Sequence, residues 1–124
     1  MGRLDDDFLE RIESFSNRAV VVAEAIEKRR VAWRIVDQLV GSGTSVGANT
    51  FEADEAVSRK DFCKSLGTVL KELNETRFWV RIIGRRGWLP QSRLAPLEAE
   101  CVELKRIVGA MLSRTRRNDA RRSA

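Results

Sequence analysis

Residues 62–83, FCKSLGTVLKELNETRFWVRII, carry the clearest pattern in the chain. Apolar residues, together with one threonine, recur there at alternating spacings of four and three. They are Phe62, Leu66, Val69, Leu73, Thr76, Val80 and Ile83. This rhythm lines up one stripe along a single face of an α-helix. The sequence therefore predicts a long amphipathic helix that buries this face against other helices.

Three further segments show a similar rhythm, and no segment shows a strand-like alternation of any length. In chain order, the stretch described above is the third of the four segments. The first has Phe8, Ile12, Phe15, Ala19, Val22 and Ile26; the second has Ala32, Ile35, Leu39, Val46 and Ala53; the fourth has Leu94, Leu97, Cys101, Leu104, Val108 and Met111. Four helices joined by short links predict an all-α fold, an antiparallel up-down-up-down four-helix bundle. We assign residues 1–112 to the bundle and residues 113–124 to an arginine-rich C-terminal tail.

Local signals mark some of the helix ends. Ser58 followed by Asp61 resembles a capping box at the start of helix three. Glycines indicate the end of that helix and prolines bracket the start of the next, at Gly84, Gly87, Pro90 and Pro96. Nothing interrupts the pattern between the first two helices, and we place a turn near Lys28 to Val31.

The composition limits the classes of function. A chain of 124 residues has room for one domain, and it contains no histidine. Cys63 and Cys101 both fall within apolar stripes, where a reduced thiol behaves as a small hydrophobic side chain. These features exclude the common zinc sites and histidine-based catalysis. The sequence predicts a protein that is not an enzyme, with no cofactor and no metal.

The N-terminal region predicts the location of the protein. Asp5, Asp6 and Asp7 stand where a signal peptide would carry positive charge. The longest uninterrupted apolar run, Ala19–Ala23, is far shorter than the roughly 20 residues of a membrane span. We expect a cytoplasmic protein that does not enter a membrane.

Positive charge is concentrated in two places. The net charge is +5, and residues 113–124 contain five arginines with one acid, Asp119. The arginines of this tail are Arg114, Arg116, Arg117, Arg121 and Arg122. A basic stripe on helix three consists of Arg77, Arg81, Arg85 and the adjacent Arg86. The stripe on helix three is either a solvated helix face or a contact for the phosphates of a nucleic acid. The abundance of arginine, 18 of the 23 basic residues, fits phosphate binding but is also what a GC-rich genome produces. Aromatic residues make up only 6% of the chain, which does not indicate a base-stacking platform.

Helix two contains a run of small residues that has two interpretations. Ser42, Gly43, Ser45, Gly47 and Asn49 would suit a phosphate-binding loop, but a P-loop follows a strand and ends in Gly-Lys-Ser/Thr. Neither feature is present. The run instead favours close approach of a neighbouring helix, with hydroxyl groups bonding back to the backbone.

A group of polar residues on helices two and three also has two interpretations. Two glutamates three residues apart share a helix face, and paired carboxylates could hold a metal. Di-iron bundles, however, require Glu-x-x-His motifs, which a chain without histidine cannot supply. We expect a buried polar network that fixes the register of the helices. Its members are Asn49, Glu52, Lys71, Glu72 and Glu75.

Residues 38–89 contain three motifs that together resemble a known family. They are QL-x-x-SGTSxGAN-x-x-EA in helix two, Ser-x-x-Asp-Phe at the start of helix three, and KE-x-x-ET-x-x-W within it. The matching positions are Gln38, Leu39, Ser42, Gly43, Thr44, Ser45, Gly47, Ala48, Asn49, Glu52, Ala53, Ser58, Asp61, Phe62, Lys71, Glu72, Glu75, Thr76 and Trp79. The stretch resembles the four-helix-bundle proteins encoded by intervening sequences in large-subunit ribosomal RNA genes.

The resemblance implies a bundle that assembles into a ring of five subunits. The accessory variability proteins of diversity-generating retroelements share this fold; they are basic pentamers that bind a reverse transcriptase and nucleic acid. The predicted function is therefore a non-enzymatic homo-oligomeric scaffold or adaptor. The alternative is a nucleic-acid-binding accessory protein that partners a reverse transcriptase in such a retroelement.

Overall fold

A computed structural model describes residues 2–30 and 32–123, and these residues contain helices and turns but no strand. The helices are α1 (Asp6–Glu27), α2 (Trp33–Asp54), α3 (Arg59–Arg85) and α4 (Gln91–Ser123). The prediction of an all-α four-helix bundle is confirmed. In the described part of the chain, no helix combines the length and the apolar character that crossing a membrane requires.

Contacts between the first two helices show that they run in opposite directions. Gly47 lies beside Ser16, whereas Gly43, one turn earlier on α2, lies beside Ala19, one turn later on α1. Each helix packs mainly on the next one along the chain, and α1 and α4 approach each other only weakly. The Arg11 guanidinium bridges that wider gap by donating two hydrogen bonds, of 2.7 and 2.8 Å, to the Glu100 carboxylate.

The predicted apolar stripes form most of the core. On α3 all seven predicted residues are buried. Four residues at the ends of stripes differ from the prediction, and two of them, Phe8 and Ile35, are half-buried against the core. Ala32 is exposed because it precedes α2 as its N-cap residue. On α4 the stripe ends with the buried Leu112, while Met111 is only half-buried.

The helix ends follow the local signals closely. Ser58 is the N-cap of α3, and its hydroxyl accepts a hydrogen bond of 3.1 Å from the Asp61 N–H. Gly87, with φ of 67°, follows the end of α3. At the prolines, α4 begins directly after Pro90, but Pro96 lies inside the helix.

The predicted turn between α1 and α2 is present over residues 28–30. Val31, its last predicted residue, lies outside the described residues. Arg30 adopts the left-handed conformation, with φ of 56°, which reverses the chain without a glycine.

The arginine-rich segment continues the last helix. Residues 113–123 are helical, and α4 spans 33 residues, a length of about 50 Å. The last buried residue of α4 is Leu112. Beyond it, an ion pair of 2.9 Å joins Asp119 to Arg59, the first residue of α3.

The run of small residues on α2 allows α1 to approach closely. A methyl group added at Gly43 would be much closer to the Cβ of Ala19 than van der Waals contact allows. The Ser16 hydroxyl donates to the Gly43 carbonyl at 2.7 Å and accepts from the Gly47 N–H at 3.1 Å. This is the close packing that the small residues predict.

We expect Gly43→Ala to lower the free energy of unfolding by about 1–3 kcal/mol, because the new methyl group forces α1 and α2 apart. Gly41→Ala is the matched control: it lies on the exposed side of the same helix with nothing near its added Cβ. It should raise stability by about 1 kcal/mol through helix propensity. Urea unfolding followed by circular dichroism, at equal protein concentration, measures both. Equal stability of the two variants would contradict the close approach.

Candidate functional site

The five residues predicted to form a polar network are not joined in one network. Asn49 bonds within its own helix, donating to the carbonyl and hydroxyl oxygens of Ser45, both at 2.9 Å. Glu52 and Lys71 are exposed. Within residues 2–30 and 32–123, no hydrogen bond links Asn49 or Glu52 to the three predicted members on α3. Polar groups on each helix bond within that helix instead, since the Glu75 carboxylate accepts a hydrogen bond of 3.4 Å from the Trp79 indole N–H on α3.

The buried polar link between α2 and α3 uses two hydroxyl groups instead. The Thr76 hydroxyl lies 2.9 Å from the Ser42 hydroxyl and 2.8 Å from the Glu72 carbonyl oxygen. Ser42 and Thr76 are at most 3% exposed. A sequence signal for this link exists, because Ser42 fills the gap in the apolar stripe between Leu39 and Val46.

Two groups in the bundle have raised pKa values. Partial burial, followed by the neighbouring charge of Glu75, raises the pKa of Glu72, while Lys71 opposes the shift. Burial is also the main cause that raises the pKa of the Cys101 thiol to about 12. A thiol with that pKa remains protonated at neutral pH and is a poor nucleophile. Among the described residues, no three histidine, cysteine or acidic side chains are grouped closely enough to hold a metal ion.

The predicted basic stripe on α3 is divided by ion pairs. Arg77 and Arg81 both contact the Glu98 carboxylate on α4, at 3.4 and 3.0 Å. Arg85 and Arg86 are exposed and make no ion pair with a described residue. Arg77 and Arg81 therefore share one carboxylate of α4, which leaves this pair with a net charge of +1, and the other half of the stripe lies at the end of the bundle where α3 meets α4.

The five arginines of the C-terminal segment are exposed at the opposite end. In the described residues none of them forms an ion pair, since the one acid of the segment, Asp119, is bound to Arg59. Arg114, Arg117 and Arg121 follow one another at spacings of three and four, which places them on one helix face. The predicted nucleic-acid-binding residues that make no ion pair with a described residue thus form two groups at opposite ends of the bundle, while Arg77 and Arg81 lie between them.

A groove between α1 and α2 exposes apolar surface on the side of the bundle. It has a volume of about 440 Å³ and includes Gly47, Ala48 and Phe51 on α2. Phe51 is 45% exposed. The carboxylates of Glu13 and Glu52 stand at the rim of the groove.

The model of the 23S rRNA-intervening sequence protein family matches residues 6–110. The chain belongs to this family. Among solved structures, a protein of unknown function from the S23 ribosomal protein family of Bacteroides thetaiotaomicron VPI-5482 is similar, with 27% identity and a TM-score of 0.80. The similarity covers 84% of this chain and 96% of that one. No curated protein matches the sequence.

The family match includes most of the bundle and leaves out part of the basic segment. It begins at the first residue of α1 and ends within α4, two residues before Leu112. Every motif residue that carried the resemblance lies inside it, including Ser42, Gly43 and Thr76. The five terminal arginines lie beyond it, so they are a feature of this chain in addition to the matched family region.

We expect Thr76→Val to lower the free energy of unfolding by about 1–3 kcal/mol, because the buried Ser42 hydroxyl loses its partner. Ser42→Ala should have a similar cost, and the double variant should cost less than the two single changes together by about 1 kcal/mol. Thr68→Val is the control, since the Thr68 hydroxyl bonds only within its own helix, to the Lys64 carbonyl. A double-variant cycle by chemical unfolding measures the coupling; strict additivity would show that the hydroxyl pair does not stabilise the bundle.

Proposed function

We propose that this protein is a non-enzymatic scaffold that works in the cytoplasm as a homo-oligomer, a ring of five subunits. The observation that carries the proposal is the groove between α1 and α2, where Phe51 is 45% exposed beside Gly47 and Ala48. In the proposed assembly, a partner covers this aromatic side chain and the small residues beside it, which together form one apolar surface.

The partner we propose for this groove is a second copy of the chain. The outer face of α3 exposes Phe78 to 53% of its surface, with the basic side chain of Lys71 on the same helix face. This basic surface is complementary to the groove, whose rim carries Glu13 and Glu52. The two surfaces differ, so their contact is heterologous. A heterologous contact builds a ring when its rotation closes and an open filament when it does not, and the ring is the arrangement we propose.

We expect multi-angle light scattering of the wild-type protein to give a mass of about five times 14.1 kDa. Phe51→Glu and Phe78→Glu should each shift the protein toward the monomer, because each places a charge in the apolar contact. Val57→Glu is the control, since Val57 is 91% exposed in the turn between α2 and α3 and lies outside both surfaces. A wild-type monomer at micromolar concentration would overturn the proposal.

Nucleic-acid binding is the second candidate, and the free arginines at the end of α4 favour it. Five exposed guanidinium groups without an acidic partner among the described residues suit contacts to phosphates. Repetition of this segment around a ring would multiply the contacts. In this version of the proposal the ring is the accessory protein of a retroelement and holds a reverse transcriptase near its nucleic acid.

Deleting residues 113–124 should weaken binding to mixed-sequence RNA and DNA, and the loss should shrink as salt rises, because each phosphate contact releases counterions. The bundle should stay folded, since its last buried residue is Leu112. As a control, Arg77→Gln should change affinity less, because it removes one positive charge, and the Arg77 side chain is already held in an ion pair with Glu98. Fluorescence anisotropy at two salt concentrations measures the affinities. Equal binding by full-length and truncated protein would exclude the segment as the phosphate contact.

A further inference from the structure

The end of the bundle formed by the α1–α2 and α3–α4 turns carries a dense positive charge. Segments 27–37 and 85–93 contain seven basic residues and two acidic ones, Glu27 and Asp37. The basic residues are Lys28, Arg29, Arg30, Arg34, Arg85, Arg86 and Arg93, and all are exposed. None of them forms an ion pair with a described residue. This surface, named here the turn end, is therefore positively charged and open.

The two turns form one continuous surface. The Arg29 guanidinium donates a hydrogen bond of 2.6 Å to the Trp88 carbonyl oxygen, which joins the first turn to the last. The Arg86 guanidinium lies 5.8 Å from the centre of the Trp88 ring. These contacts hold Arg29 from the α1–α2 turn and Arg86 from the α3–α4 turn close to the same residue, Trp88.

An exposed tryptophan stands at the edge of the turn end. Trp33 is 70% exposed. The other two exposed aromatic side chains in the described residues, Phe78 and Phe51, are less exposed. The Arg34 guanidinium lies 5.7 Å from the centre of its ring. Trp33 is the first residue of α2 and lies six residues before Leu39, the first buried residue of that helix.

Trp33 lines a groove with a mixed chemical character. The groove, of about 650 Å³, has apolar walls at Val36 and Val40 and carries Glu27, Arg30 and Asp37. The two carboxylates would repel a phosphate but can accept hydrogen bonds from the exocyclic amino groups of bases. The groove thus suits a base, while the cations around it suit the phosphates on either side.

We propose that the turn end binds single-stranded nucleic acid, with one unpaired base stacked on Trp33 in this groove and the backbone following the arginines. A base can reach the ring only when it is free of a duplex, and stacking on aromatic or guanidinium planes is how proteins hold such bases. The inference rests on the nucleic-acid-binding candidate above. It adds a second binding site, at the opposite end of the bundle from the arginines of α4. It also specifies that this site binds single strands and not duplexes.

The test compares Trp33→Ala and Trp33→Phe in the full-length protein, with Val57→Ala, at the other end of the bundle, as control. The probes are one mixed-sequence oligonucleotide as single-stranded DNA, as single-stranded RNA and as a DNA duplex. Trp33→Ala should weaken single-strand binding about 5- to 100-fold and leave duplex binding unchanged. Trp33→Phe should retain most of the affinity, because a phenyl ring also stacks. Wild-type tryptophan fluorescence should be quenched by the single strands, and Trp33→Phe should lose that quenching.

The other outcomes separate this inference from the functions it builds on. Single-strand binding by Trp33→Ala equal to wild type would overturn the turn-end site while leaving phosphate contacts by α4 intact. Absence of all nucleic-acid binding would overturn both. A change of mass by light scattering in Trp33→Ala would show that Trp33 belongs to a subunit interface, which also overturns the site. Binding to vesicles of anionic phospholipid, without binding to oligonucleotides, would assign the turn end to a membrane surface instead.

Discussion

The closeness of α1 and α2 is the constraint on which much of the arrangement depends. Gly43 has no side chain to hold α1 away, and Ser16 bonds to backbone groups of both Gly43 and Gly47. A hydroxyl that reaches two backbone groups of a neighbouring helix determines both the distance and the register of the pair. The same small residues leave the outside of this pair shallow, which creates the groove beside Phe51.

The remaining contacts follow the chain from α1 to α4 and distribute charge unevenly. The first half of α4 supplies acidic partners, since Glu98 binds two arginines of α3 and Glu100 binds Arg11 of α1. These pairs join α4 to the bundle and offset much of the positive charge of its middle. Cations without acidic partners among the described residues are then concentrated at the two ends, the turn end and the C-terminal end of α4.

This separation makes the proposed functions compatible. The surfaces proposed for assembly lie on the sides of the bundle, around Phe51 and Phe78. The surfaces proposed for nucleic acid lie at its ends. In a ring whose subunits contact each other through these side surfaces, the turn ends would lie on one face of the ring and the C-terminal ends of α4 on the other. A nucleic-acid strand could then cross several subunits without disturbing the contacts between them. Family membership establishes the bundle, and these surfaces are where a role for it can be tested.

The sequence by itself determined the helices and most of the core. The four–three rhythm from Phe62 to Ile83 predicted every buried position of α3, because helical periodicity reports which face is apolar. Ser58 with Asp61 located the start of that helix through a contact only three residues apart. Only the tertiary structure decided the polar contacts, since a pattern along one helix does not state which residue of another helix it meets. It paired Ser42 with Thr76 in place of the predicted network, and Glu98 with Arg77 and Arg81. It also left Trp33 exposed. At the start of a helix, the path of the preceding turn decides which neighbours cover a side chain, whereas the hydrophobicity of that side chain does not.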